Sequence, residues 1–153
     1  MPQNIMGKFM SDERELLNQL GEFARILDGR RWQDVSQVFS GNISFNYGDG
    51  KEQKGLKALS DNFKTFLDPC GPSQHLLGSI QLEIDGDTAV SRSYVQARHQ
   101  GSGAKADRFL DSNGEYIDRW QREPNGWRIV RRDVQWAILS GDMSVLSAEE
   151  SSS

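Results

Sequence analysis

Asp28, His75 and Arg132 are the residues whose types and settings in this sequence could do chemistry. Histidine is the side chain suited to moving protons near neutral pH. His75 follows the breaker run Asp68 to Pro72 and opens a stretch of strand character, so it belongs near the end of a sheet, beside whatever the sheet encloses. Asp28 stands just past an apolar helix stripe, where an aspartate can end a helix, shape a turn or orient a histidine. Arg132 is expected to share one strand face with Val130, Val134 and Trp136, while Trp127, Ile129, Arg131 and Asp133 point the other way. A guanidinium cannot shed its charge, so a buried one requires an anionic partner or ligand. Each residue also has a structural explanation: a strand-start histidine, a turn aspartate, a solvated or salt-bridged arginine at a sheet face.

Other side chains fill out the setting. Phe23, Trp32, Phe45, Tyr47, Tyr94 and Trp136 could line a pocket for an aromatic, polycyclic or otherwise bulky apolar substrate, or could be core. His99, near the end of its strand, is expected to be solvated. Cys70 lies close to His75 in sequence, but a nucleophilic pair would require proximity in space. Two histidines and one cysteine without closely spaced ligands make no zinc or iron motif, so neither metal nor cofactor is expected. The glycines around Asp49 and Ser102 lack the spacing and following helix of a phosphate cradle and read as turns.

The elements that must position these residues follow from periodicity. Ser11, with Asp12 and Glu13 after it, can start a helix, and Leu16, Leu17, Leu20, Phe23, Ala24 and Leu27 make its apolar stripe. Trp32, Val35, Val38 and Phe39 suggest a second, short helix, so two helices bracket Asp28. Ile43, Phe45 and Tyr47 alternate with polar residues as in a half-buried strand, and Leu56, Leu59, Phe63, Phe66 and Leu67 return to helical spacing. From Ser73 to about Leu139 the chain reads as long antiparallel strands joined at Asp85-Gly86-Asp87 and Pro124-Asn125-Gly126. The expected architecture is α+β, three N-terminal helices closing an apolar pocket against a strongly curved, mainly antiparallel sheet. Residues 1–10 are expected to be flexible, 11–139 to form the domain and 140–153 to be a mobile tail.

Composition limits the function. With 153 residues the chain has the size of one domain, and a net charge of −4, with arginines interleaved among acids, gives no footprint for nucleic acid. No apolar run approaches membrane-spanning length, and a single cysteine suits a reducing compartment; a cytoplasmic protein is expected.

The run FARILDGRRWQDVSQVF at 23–39 resembles the opening of SnoaL-like proteins of the nuclear-transport-factor-two-like superfamily. SQH at 73–75, IDGDTA at 84–89, YIDR at 116–119 and GWRI at 126–129 are similar to the strand signatures of that family. The resemblance covers about Glu15 to Trp136 and implies a cystatin-like, cone-shaped barrel. It is nearest to the branch holding scytalone dehydratase, the bile-acid dehydratase and the hexachlorocyclohexane dehydrochlorinase. The Asp–His dyad of those lyases maps onto Asp28 and His75, and the pocket arginine of the dehydrochlorinase onto Arg132. Phe23 stands where the bile-acid enzyme has a tyrosine, and Phe45 where the dehydrochlorinase has a tryptophan, so the leaving-group machinery differs.

The resemblance implies a dehydratase-like lyase, with no cofactor, acting on a small apolar substrate and working as a trimer or dimer. Asp28 would fix the tautomer of His75, His75 would take a proton from the substrate, and Arg132 would meet developing negative charge. The same base suits an isomerase or an aldehyde-releasing carbon–carbon lyase. A non-catalytic binding or assembly module is the other class this fold serves.

Overall fold

The computed structural model describes residues 2–148. Helix α1 spans Pro2–Asp28, a 3₁₀ turn Trp32–Gln37, strand β1 Phe39–Asn46, strand β2 Gln53–Lys54 and helix α2 Leu56–Leu67. Four long strands follow, β3 Ser73–Asp85, β4 Thr88–Gln100, β5 Phe109–Glu123 and β6 Gly126–Gly141, with 3₁₀ turns at Gly103–Lys105 and Met143–Leu146.

The six strands form one sheet in the order β2-β1-β6-β5-β4-β3. Every neighbouring pair is antiparallel except β1 with β6, which is parallel. The sheet is therefore open, with β2 and β3 as its edges, where a closed barrel was expected. Helix α1 begins at Pro2, nine residues before the expected start, so Ser11 is an interior residue rather than a cap.

Helix α1 lays Leu16, Leu20, Phe23, Ile26 and Leu27 on the sheet, all nearly inaccessible, whereas Leu17 is 39% exposed and lies off the stripe. The helix backbone runs closest to β3, and the inward face of the neighbouring β4 carries Ala89, Ser91, Ser93, Val95 and Ala97, mostly small residues. Before its midpoint the helix is tied to the β5–β6 hairpin, where the buried Asp12 takes two hydrogen bonds from Arg122, at 2.8 and 2.6 Å, and one from the Trp127 indole at 3.2 Å. Its other end carries Asp28.

Irregular pairing aims the strands. In β6 the register against β5 shifts between Arg119 and Trp120, which leaves Val130 as an inserted residue. The insertion lets Trp127 and Ile129 face the core on one side of it and Arg132 and Val134 on the other. A strict alternation, which would turn Trp127 and Ile129 away from Arg132, does not allow for it. Strand β3 carries a similar irregularity between Gly78 and Gln81, with Ser79 at φ 47°.

Part of the expected tail from residue 140 has regular structure, and residues 149–153 lie outside the described residues. Strand β6 runs to Gly141, and the Met143–Leu146 turn is capped by the Asp142 carboxylate and pinned by Val145, which is buried with Cys70 and Leu110. Val145, with Leu146 packed against the same cluster, supplies the burial that holds this segment.

Candidate active site

Asp28 ends α1 and His75 is the third residue of β3, and the two meet. His75 Nδ1 lies 2.6 Å from Asp28 Oδ1. The His75 amide donates to Oδ2 at 2.9 Å, and the Ser73 hydroxyl donates to Oδ1 at 3.0 Å. Burial pushes the Asp28 carboxyl upward, but hydrogen bonds from His75 and Ser73 outweigh it and hold it below its ordinary value. The carboxylate is thus an acceptor that sets the Nδ1–H tautomer and leaves Nε2 for a ligand.

His75 opens onto a cavity of about 240 Å³. Leu27, Phe63, Phe66 and Leu67 come from the helices, Ala97, His99, Ser112, Tyr116 and Trp136 from β4 to β6, and Leu139, Met143 and Leu146 from the end of the chain. Tyr47, just past β1, completes the wall. The lining is overwhelmingly apolar, with His75, His99 and the Tyr47 and Tyr116 phenols among its few polar groups. At the mouth Leu139 and Met143 are each 56% exposed, an apolar rim facing water.

His99, expected to be solvated, is 4% exposed. Its ring stands edge-on to that of His75, with centroids 5.5 Å apart, and its Nδ1 is 3.1 Å from the Leu110 carbonyl, which requires Nδ1 to carry the proton. Burial lowers the His99 pKa from its ordinary value, so the ring is neutral and Nε2 is an acceptor. The alternation Val95, Ala97, His99 is the signal that places it inside.

Arg132 does not line the cavity. It is fully buried behind it, its Nε and Nη2 donating to Asp118 at 2.7 and 2.9 Å. Its guanidinium carbon lies 4.0 Å from the centroid of the Tyr116 ring and 4.1 Å from that of Phe23. The Asp118 carboxylate holds this cation protonated against the cost of burial. Nη1 reaches the Tyr47 hydroxyl at 3.4 Å, so the charge meets the pocket through a phenol. Removal from water raises the Tyr47 pKa and Arg132 opposes the rise; the phenol is protonated at neutral pH.

Of the aromatic residues picked out by sequence, Tyr47 and Trp136 line the cavity. Phe23 and Phe45 are core. Trp32 stacks on Phe63, centroids 6.1 Å apart, and donates to Asp68 at 2.8 Å, outside the cavity. Tyr94 is 59% exposed on the opposite sheet face, as its even spacing from Arg92, Gln96 and Arg98 requires. The Trp136 indole donates to the Tyr47 carbonyl at 3.0 Å and lies so close to Gly48, at φ 88°, that a Cβ there would sit 2.5 Å from it.

Cys70 is a buried free thiol whose Sγ donates to the Gln100 carbonyl at 3.3 Å; burial raises its pKa, the reverse of what a nucleophile requires. Among the described residues no three His, Cys, Asp or Glu gather as a metal site, and no helix is long and apolar enough to cross a membrane.

The SnoaL-like domain family matches residues 9–133, and this chain belongs to it. The Mycobacterium tuberculosis protein Rv2910c is 30% identical over 131 residues, covering 80% of this chain and 84% of that protein. The crystal structure of the Kfla4162 protein from Kribbella flavida superposes with a TM-score of 0.79 at 18% identity, over 90% of this chain and 97% of that one. A candidate scytalone dehydratase from Novosphingobium aromaticivorans superposes at 0.79 with 14% identity, over 97% and 99%. At these identities the structures speak for the fold.

Proposed function

We propose that this protein is a cofactor-independent lyase of the dehydratase type, acting on a small apolar substrate of aromatic or polycyclic character. The observation that carries this is the 2.6 Å contact between Asp28 and a His75 ring that lines a cavity of largely apolar walls. Asp28 orients the imidazole and stabilises the imidazolium, and His75 Nε2 removes a proton from a substrate carbon. The electron pair of that C–H bond becomes the new double bond as the hydroxyl leaves. Tyr47 gives the departing hydroxyl its proton, and Arg132, 3.4 Å away, stabilises the phenolate that forms. Proton return from the imidazolium to the phenolate restores the site. His99, neutral and acceptor-only on its cavity side, receives a substrate hydroxyl.

The test is a screen of phenolic and polycyclic hydroxy compounds with the purified protein, read by mass spectrometry. Loss of water marks elimination, and unchanged mass with a moved double bond would mark isomerisation at the same base. His75→Ala is expected to lose turnover by about 10²- to 10⁴-fold while retaining fold and ligand affinity. Normal turnover in that variant would remove His75 from the mechanism. We also propose that the molecule is a homo-oligomer formed through the outer sheet face, where Leu76 and Tyr94 are exposed.

A further inference from the structure

Helix α1 ends in a turn whose conformation is unusual for its residue. The Arg31 amide donates to the Ile26 carbonyl at 2.9 Å and the Arg30 amide to the Leu27 carbonyl at 3.1 Å, the pair of bonds that closes a helix with one left-handed residue. That residue is ordinarily glycine; here it is Arg30, at φ 53°, while Gly29 sits one position too early to serve. Arg30 is one of two non-glycine residues with positive φ among those described. A side chain held in this region at a backbone cost points to work done by the side chain.

The Arg30 guanidinium spends its donors on neutral acceptors. Nε donates to the Leu67 carbonyl at 3.0 Å, Nη1 to the Leu27 carbonyl at 2.7 Å and to Ser73 Oγ at 2.8 Å, and Nη2 to the Gly71 carbonyl at 2.7 Å. One planar group thereby joins the end of α1, the end of α2, the loop before β3 and the first residue of β3. These segments bring Asp28 and His75 together. Because Ser73 Oγ accepts from Arg30, its single hydrogen is committed to Asp28 Oδ1, the oxygen that also holds His75 Nδ1.

We infer that Arg30 and Ser73 are positioning residues that act in series on the dyad, Arg30 orienting the Ser73 hydroxyl and Ser73 sharing Asp28 Oδ1 with the His75 ring, so that the pair sets how strongly this carboxylate pulls on the imidazole. This rests on the proposed role of His75 as base. Donation from Ser73 leaves less negative charge on Oδ1 to stabilise an imidazolium, and without it the imidazole binds its proton more tightly. The other titratable groups near the dyad are His99 on β4, Cys70 in the loop before β3, and Tyr47 and Tyr116 across the cavity. They are unchanged in the Ser73 and Arg30 variants used below, and His99→Asn serves only to assign the signals.

The experiment is an NMR titration of the His75 imidazole nitrogens in the full chain, which has only two histidines, so that His99→Asn assigns the signals. Ser73→Ala is expected to move the His75 midpoint to higher pH by about half a unit, the scale of one neutral hydrogen bond. Ser73→Thr, which keeps the hydroxyl, is expected to stay at the wild-type midpoint. Arg30→Gly places the preferred residue in the left-handed turn, so the fold is retained while the clamp and its charge are lost; its midpoint is expected to move in the same direction. Wild-type midpoints in both Ser73→Ala and Arg30→Gly, or an equal movement in Ser73→Thr, overturn the inference. Movement in Ser73→Ala with none in Arg30→Gly strikes Arg30 from it. Since the titration needs no substrate, a turnover result that removes His75 from the mechanism is distinguishable from a titration that removes this pair.

Discussion

At the scale of single residues, Asp28 has two tasks that substitution can separate. One oxygen fixes the backbone of β3 through the His75 amide, and the other holds the imidazole. Asp28→Asn keeps the shape of the side chain but offers an amide where an anion is needed, so turnover is expected to fall by about 10³- to 10⁴-fold with a small change in melting temperature. A variant as active as wild type would sink the dyad. His99 makes a different prediction. Its folded pKa lies below the ordinary 6.5, so the unfolded chain binds more protons on this group than the native one between those values. Its contribution to stability is complete above pH 6.5 and drains away as pH falls through that value toward the lowered folded pKa. His99→Asn retains a donor for the Leu110 carbonyl, and denaturant midpoints from pH 7.5 to 5.5 are expected to decline less steeply in it than in wild type. Parallel declines would show that His99 is not the group responsible.

At the scale of elements, legibility tracked periodicity. The long strands, the helix stripe and the Asp28–His75 match were readable because regular spacing or a family motif marked them, and the SnoaL-like family is the one the sequence resembled. What was not readable lay at irregularities and in burial chosen by tertiary contact. The inserted Val130 reset the face of β6, so Arg132 keeps Val134 and Trp136 beside it but shares its face with Trp127 and Ile129 in place of Val130. Tyr94 was placed inside although the alternation that buries His99 turns it out. Ordinary composition past residue 140 hid the Met143–Leu146 turn, because so few apolar residues carry no period. That turn supports a prediction. Val145→Asp would place a charge in the small cluster with Cys70 and Leu110 and dislodge Met143 and Leu146 from the cavity mouth. If the turn only shapes the cavity mouth, substrate KM is expected to rise several-fold while kcat changes little; an unchanged KM would show the turn to be a bystander.

At the scale of the whole molecule, the buried ion pair of Arg132 and Asp118 joins the two strands that carry the centre of the sheet. Arg132→Met strands an uncompensated carboxylate in the core, which typically costs about 3–5 kcal/mol. Adding Asp118→Leu to the same chain is expected to recover most of that loss in denaturant melts, while leaving Tyr47 without its cation and turnover depressed. Recovery of full activity in the double variant would mean that Arg132 serves only the fold. The outer face of the sheet bears on assembly: light scattering is expected to report a dimer or trimer, and Tyr94→Glu to lower the association state. A monomeric wild type would refute the proposed interface.

The parallel pairing of β1 with β6 also sets when the cavity comes into being. Tyr47 and Arg132 are 85 residues apart in the chain, and β6 must slide between β1 and β5, joining the first strand to the last. Closing so long a loop has an entropic cost that local hairpins escape, which slows the step. A chain still emerging during synthesis can therefore hold the β3–β4–β5 meander without any place for a ligand. Ligand binding then reports the final event of folding, and it is expected to lag the recovery of helical signal when the unfolded protein is returned to buffer.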